Sequence, residues 1–284
     1  MSWAAWLIAA KAGSIGAWLA AALIAENWRP AAVVPLALAG YGASWFKRWG
    51  RNFGLFLINL PLSSAIVLPL TGWAALHPIW HRPEWLLSPV FLPVDLLLLD
   101  LWIYWWHRAN HELPVLWRFH EVHHRDQFLD ASSAVRFHFG EVALSAAMRA
   151  IVIILLAMPF ASVLVFETLV LMAAIFHHAN WRLPPDSERI LARAVITPDL
   201  HWVHHHARRA DTDSTYGTIC SFWDRLFRTT TSTGRTPRMP IGVEGREEES
   251  LIRLLILPFR PAQSSPHARV SAPIAVNQRS GSRA

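Results

Sequence analysis

A chain of 284 residues with 53% hydrophobic and only 16% charged residues falls short of the roughly 25% charge of ordinary soluble domains, so lipid is the solvent for part of it. The single cysteine, Cys220, excludes an intrachain disulfide and any Cys-rich metal motif. The formal charge of +6 is spread over loops and an Arg-rich tail, which suits anionic lipid head groups and gives no reason to invoke nucleic acid.

Taken in order, four segments have the length and apolarity of membrane helices, for which ~20 residues suffice. Trp3 to Ala25 is apolar except for Lys11, whose stem can snorkel to an interface. Ala31 to Phe46 is shorter and uncharged, Gly54 to Leu76 carries no charge, and Ser88 to Trp106 is long enough to span. Trp45, Trp73, Trp80, Trp105 and Trp106 lie near segment ends, as an aromatic belt predicts. The N-terminal run lacks a basic region before its apolar stretch, which argues against a cleaved signal peptide. The connection containing Lys47, Arg48 and Arg51 is the most basic, whereas those near Glu26–Arg29 and Arg82–Glu84 balance base against acid. The positive-inside rule therefore puts the Lys47–Arg51 loop, the N-terminus and the end of the fourth helix at His107 on the cytoplasmic face.

A fifth apolar run, Leu144 to Phe176, would be about 50 Å long as one helix, and Pro159 interrupts its middle. A re-entrant helical hairpin fits it and returns His138 and His178 to one side. The expected fold is thus an all-α integral membrane protein: about four transmembrane helices, a re-entrant hairpin and a cytoplasmic, histidine-rich helical cap. After Arg228 the chain turns to Thr, Ser, Gly and Arg; the short run Leu251 to Phe259 is expected to dock on the cap or the membrane surface. Residues 261–284 read as a disordered tail, and residues 1–87 as N-terminal transmembrane helices.

Histidine is the unusual polar residue, with 15 copies. His107 and His111 are spaced i, i+4, so they share a helical face. His120, His123 and His124 form an HxxHH pattern, repeated in His201, His204 and His205. His138 and His178 lie between them, with His177 and His206 as neighbours easily mistaken for ligands. A lone pair of histidines at this spacing is more often incidental than metallic. Three clusters of matching spacing on one membrane face are a different matter. Imidazole suits Zn, Cu, Fe and Ni, and this many ligands exceed the needs of one tetrahedral zinc. The pattern favours two metals, and iron if positions stay open for oxygen. Asp100, seven residues before His107, is a candidate carboxylate partner for a ligating imidazole, as is Glu141. Asp95 and Asp100 are costly inside a membrane segment. Asn180 fits either a bond to a ligand histidine or a helix end, Tyr104 reads as an interfacial aromatic, and Arg125 as a contact to interfacial phosphate.

These residues resemble the fatty acid hydroxylase/sterol desaturase superfamily, particularly its bacterial membrane members. The match runs from Asp100 through Tyr104, His107, Arg108 and His111, then through Leu116-Trp117-Arg118-Phe119-His120 and His123-His124. It continues with Arg136-Phe137-His138 and Glu141 (an RxHxxE element), His178-Ala179-Asn180 (HxN), Thr197-Pro198-Asp199-Leu200-His201 with His204-His205, and Trp223-Asp224-Arg225-Leu226-Phe227. Three departures stand out: Phe139 where the family has Pro, Thr215 where it has Asn before Tyr216-Gly217, and Arg228-Thr229 where it has Gly-Thr. The resemblance implies a catalytic domain over residues 88–260. It also implies two iron ions held by His107, His111, His120, His123, His124, His138, His178, His201, His204 and His205. With O2 and electrons from a ferredoxin- or cytochrome-type donor, such a centre hydroxylates or desaturates a lipid C–H bond, here facing the cytoplasm of a bacterial inner membrane. A non-redox metal binder or transporter is the competing class. It would place ionisable residues near mid-membrane in several helices, and only Asp95, Asp100 and Glu167 qualify.

Overall fold

A computed structural model describes residues 3–34 and 42–261. Among them every regular element is helical. Helix α1 is Trp3–Trp28 and α2 is Gly42–Leu62. Pro61 removes a backbone N–H inside α2, and the next residues, Ser63–Val67, wind as a π-helix before α3, Leu68–Leu76, with helical backbone at both junctions. Helix α4 is Leu92–Glu112 and α5 is Pro114–His124. Between them Leu113 is extended (φ −94°, ψ 116°), as a residue preceding proline prefers. Helices α6 (Phe139–Leu156) and α7 (Phe160–His178) form the hairpin, turned at Ala157 in left-handed conformation (φ 49°) and at Pro159. Short cap helices follow: α8 (Pro185–Leu191), α9 (Pro198–His204), α10 (Arg209–Thr212), α11 (Phe222–Leu226) and α12 (Leu251–Ile256).

Among the described residues, four helical stretches are long and apolar enough to cross a membrane: Trp45–Leu76, Pro89–Glu112, Phe139–Leu156 and Phe160–His178. Only 17–39% of each stretch is buried inside the protein, so most of the apolar surface faces outward, as in a lipid-solvated bundle. The hairpin is therefore larger than expected. At 1.5 Å per residue each arm reaches about 27 Å, close to a full crossing.

Three further sequence expectations change. Ala31–Val34 is not helical, and Trp45 and Phe46 belong to α2, so Ala31 to Phe46 is not a separate span; residues 35–41 lie outside the described residues. Lys47 to Arg51 is likewise helix, not loop. Apolar composition alone had merged two elements, because Val34 and Trp45 are apolar for another reason: both pack on the cap cluster of Phe128, Leu129 and Trp202. The side of the N-terminus also changes. Lys11 bonds Glu167 at 2.6 Å, and the Trp18 indole donates to the Met172 carbonyl at 2.9 Å. These contacts run α1 parallel to α7, so α1 begins at the end away from the histidines. The tail expected over residues 261–284 lies, beyond Pro261, outside the described residues.

Several buried charges are paired. At the end away from the histidines, Arg82 bonds Asp95 (2.8 Å), which also accepts from Ser162 (2.7 Å). In the bundle, Glu167 takes both Lys11 (2.6 Å) and Arg149 (3.0 Å). At the cap end, Arg48 is fully buried and bonds Asp126 and Asp130, each at 2.6 Å, and the Phe128 carbonyl at 2.7 Å. Arg136, also fully buried, donates to Asn52 (2.9 Å), Glu248 (2.8 Å) and the Val122 carbonyl (2.9 Å). These guanidiniums fix the 126–136 loop against α2 and α5.

Candidate metal centre

The site grows from two corners of the chain. Leu113-Pro114 turns α4 into α5 and so brings His107 and His111 against His120, His123 and His124. Thr197 caps α9, accepting the Leu200 N–H, and starts the second HxxHH helix opposite the first. At about 100° per residue, positions i and i+4 lie ~40° apart, while i+3 lies ~60° to the other side. One HxxHH motif therefore presents two faces, and the structure uses both.

Nine histidines form two adjoining groups. The first is His107, His111, His120, His124 and His204; the second is His123, His178, His201 and His205. Within each group the ligand atoms all lie within 4.8 Å of one another. Each HxxHH motif gives its i, i+4 pair to one group and its middle histidine to the other. The groups share a wall where His124 stacks on His205, ring centroids 4.2 Å apart.

The hydrogen bonds fix the tautomers. A carbonyl only accepts, so Nδ1 carries the proton in His107 (to the Tyr216 carbonyl, 2.8 Å), His123 (Arg136, 3.0 Å), His178 (Ala174, 2.7 Å) and His204 (Ser214, 2.7 Å). Their Nε2 atoms are bare lone pairs facing inward. Yet Nε2 of His178 stands 3.1 Å from Nε2 of His123 and 3.0 Å from Nε2 of His201, which is 3.1 Å from that of His205. The His123–His178 contact is acceptor against acceptor and is repulsive without a cation. Nitrogens bound to one ion at ~2.1 Å each stand at most ~4.2 Å apart, and these contacts lie within that limit. In the first group, Nε2 of His120, His204, His111 and His124 are buried without hydrogen-bond partners, as are Nδ1 of His111 and His124; His111 Nδ1 lies 3.4 Å from Asp213. Burying so many unpartnered nitrogens is costly, and a bound metal ion satisfies one nitrogen of each ring. Burial pushes His204 down to about 3, and His123, His124, His201 and His205 well below the usual imidazole range. They are neutral at pH 7, the form that ligates metal. The residues fit two metal ions.

The remaining predicted residues divide. Glu141 accepts from His120 Nδ1 at 2.7 Å, the carboxylate–imidazole pairing that orients a ligand. Asp100 meets no histidine. It accepts the Cys220 backbone N–H (3.1 Å) and the Trp223 indole (2.8 Å), because seven residues of helix put it ~10.5 Å below His107. Asn180 bonds both backbone groups of Ala32 (2.9 and 2.8 Å) and so anchors the segment after α1. His138 joins neither group. It caps α6: its Nδ1 accepts the Gly140 N–H (2.9 Å) and its Nε2 donates to the Leu255 carbonyl (3.0 Å), leaving no lone pair for a metal. His177 packs on His201 (3.9 Å between centroids) and His206 bonds Asp211 (2.7 Å); both lie outside the groups. Arg125 is buried on Glu121 and Glu249, each at 2.7 Å, and not spread on the interface.

Asp224 was missed as a supporting residue. Its carboxylate receives the N–H groups of Tyr216 (2.7 Å) and Gly217 (3.0 Å) and the Thr229 hydroxyl (2.7 Å), fixing the loop whose carbonyl holds His107. A Cβ on Gly217 would stand 2.8 Å from Asp224 Oδ2 and from the Cys220 carbonyl, so only glycine allows this approach. Two of the three departures from the family pattern fall at these turns, and the third at the start of α6. Thr215 (φ 55°) and Arg228 (φ 57°) are left-handed, a conformation suited to the Asn and Gly they replace. Phe139 is the first residue of α6, where Pro is well tolerated. The turns are kept, at a cost of ~1 kcal/mol each.

Two outcomes are expected. His205→Ala lowers bound metal from two ions per chain toward one, by elemental analysis of purified protein, whereas His138→Ala leaves metal content unchanged; equal losses would refute the grouping. Thr215→Asn and Arg228→Gly each raise the thermal midpoint in detergent, reflecting ~1 kcal/mol of relieved strain, without changing bound metal; a lowered midpoint would refute the strain assignment.

A model of the fatty acid hydroxylase family matches residues 92–229. An ornithine lipid hydroxylase, OlsE, of Rhizobium tropici is 30% identical over 238 residues, covering 78% of this chain and 70% of that protein. Alkylglycerol monooxygenases of Caenorhabditis elegans and Homo sapiens are 28% and 26% identical over 67% and 62% of this chain, which spans 34% and 37% of their lengths. No solved structure matches. The matched range opens at the helix bearing His107 and closes just past the Asp224 loop, taking in both histidine groups whole: this chain belongs to the fatty acid hydroxylase family.

Proposed function

We propose that this membrane lipid-modifying oxygenase is a di-iron enzyme that hydroxylates a lipid C–H bond with O2 and two electrons from an external donor protein. The observation that carries the reading is the inward convergence of nine imidazoles in two adjoining groups. Two iron ions, when bound, supply the oxygen activation that no side chain here can perform. The chain's own residues hold and shield that centre. Glu141 and the carbonyls of Tyr216, Arg136, Ala174 and Ser214 keep Nδ1 protonated and Nε2 aimed inward. Phe137 stacks on His123 (4.5 Å, 8°) and Trp117 covers His111 and His124 (5.2 and 5.4 Å), which excludes water. The outward-facing apolar helices give a hydrocarbon chain a dry approach.

Hydroxylation is favoured over desaturation by the named activities of the relatives, a lipid hydroxylase and monooxygenases. Metal transport is disfavoured because Asp95 and Glu167 are held in ion pairs and Asp100 in bonds to Trp223 and Cys220. A cytoplasmic active site is supported by charge: the connections at the opposite end, 77–91 and 157–159, carry only Arg82 and Glu84, while the cap is rich in arginine.

Iron-loaded protein in nanodiscs of extracted membrane lipid, given a ferredoxin and its reductase, is expected to consume O2 and yield a lipid heavier by one oxygen atom, and His124→Ala to abolish both. Redox-inert zinc as the only native metal, with no reductant-dependent O2 uptake, would overturn the reading.

A further inference from the structure

Beside the first histidine group lies a cavity of about 660 Å³ that the chemistry above does not use. His111 is on its wall, with Trp117 next to it. The cavity begins at the last turn of the Pro89–Glu112 span and the start of α5, which is the depth of a membrane interface. Its apolar side is Pro114, Val115 and Leu257. Val115 and the adjacent Leu113 and Ile256 are exposed (67%, 52% and 46%), as befits a rim that meets lipid.

The rest of the lining is charged and unbalanced. Five arginines, Arg118, Arg125, Arg209, Arg246 and Arg260, stand against three glutamates, Glu112, Glu121 and Glu244. Most of these cations are committed. Arg125 is held by Glu121 and Glu249 and Arg260 by Glu249 (3.0 Å). Arg209 bonds Asp213 (2.6 Å) and the His111 carbonyl (2.9 Å), with its guanidinium carbon 4.2 Å from the Trp117 ring centroid. Arg118 differs. Among the described residues it meets no carboxylate, and its guanidinium donates to the backbone carbonyl of Arg260. A half-buried guanidinium with donors to spare and no carboxylate partner among the described residues is a binding group for an oxyanion.

We infer that this cavity receives the headgroup of the lipid substrate, and that the headgroup carries an anionic carboxylate or phosphate bound at Arg118. The inference rests on the lipid-oxygenase reading and narrows it: an uncharged polar headgroup leaves the Arg118 charge unpaired, and an anionic one pairs it. Trp117 and Arg209 then form the wall between headgroup and centre, because one covers His111 and the other bonds its carbonyl. A headgroup seated here places the attached hydrocarbon chain toward the apolar Val115–Leu257 side.

The test is equilibrium binding to the metal-loaded full chain in detergent, with three soluble probes of equal chain length: N-octanoylglycine (carboxylate), a monooctyl phosphate (phosphate) and 1-O-octylglycerol (neutral). At least one anionic probe is expected to bind about ten-fold tighter than the neutral one. Arg118→Gln removes that margin while leaving neutral-probe affinity unchanged, and Arg118→Lys keeps part of it; the unchanged neutral affinity shows that the variant is folded. A carboxylate preference assigns an amino-acid lipid, and a phosphate preference a phospholipid. Equal affinity for all three probes, or a margin that survives in Arg118→Gln, overturns the proposal. Binding is read without turnover, so a chain that prefers anionic probes yet takes up no O2 would contradict the proposed function and leave this assignment standing.

Discussion

The bare Nε2 lone pairs of His123 and His178, facing each other across 3.1 Å, are the contact on which the structure turns. Such pairs repel, and in a buried site no water relieves them. Carbonyl and carboxylate partners on Nδ1 enforce the arrangement, because they hold the proton on the outer nitrogen of five of the nine rings. The cost is accepted because a cation reverses its sign. Burial points the same way, since it keeps the cap histidines neutral and so free to ligate.

That arrangement needs a frame which does not relax. Four helices bring histidines to one end of the bundle, but the rings are aimed by backbone carbonyls in loops. Those loops are pinned by charges. Arg136 gives its carbonyl to His123 while its own guanidinium is held by Asn52, Val122 and Glu248. Asp224 does the same for the Tyr216 carbonyl and His107. Removing one side of such a buried pair exposes the other to an uncompensated charge, so the supporting shell is as demanding as the ligands.

Much of this was legible in the sequence, and the errors have physical causes. The i, i+4 spacing of His107 and His111 and the two HxxHH motifs announced a metal site. That each motif would split between two groups was not seen, although the ~100° between adjacent positions contains it. Asp100 was assigned by sharing a face with His107, and two helical turns of separation defeat that. His138 sits in a family motif, yet its ring is consumed by capping α6, a role that depends on where the helix starts. Arg48 read as a loop cation for the membrane surface; its carboxylate partners, Asp126 and Asp130, lie far along the chain, and no local pattern names them. Thr215 and Arg228 stand out in the sequence only as departures from a family pattern; that the turns are retained, at a cost in backbone strain, shows only in their positive φ.

The family membership and the two histidine groups make one structural claim: each group holds its own metal ion. Anomalous diffraction from crystals of the natively purified protein, recorded on both sides of the iron edge, tests it most directly. The account predicts two iron peaks, one among His107, His111, His120, His124 and His204 and one among His123, His178, His201 and His205. A single peak, or density beside His138 or His177 in place of either group, would contradict it.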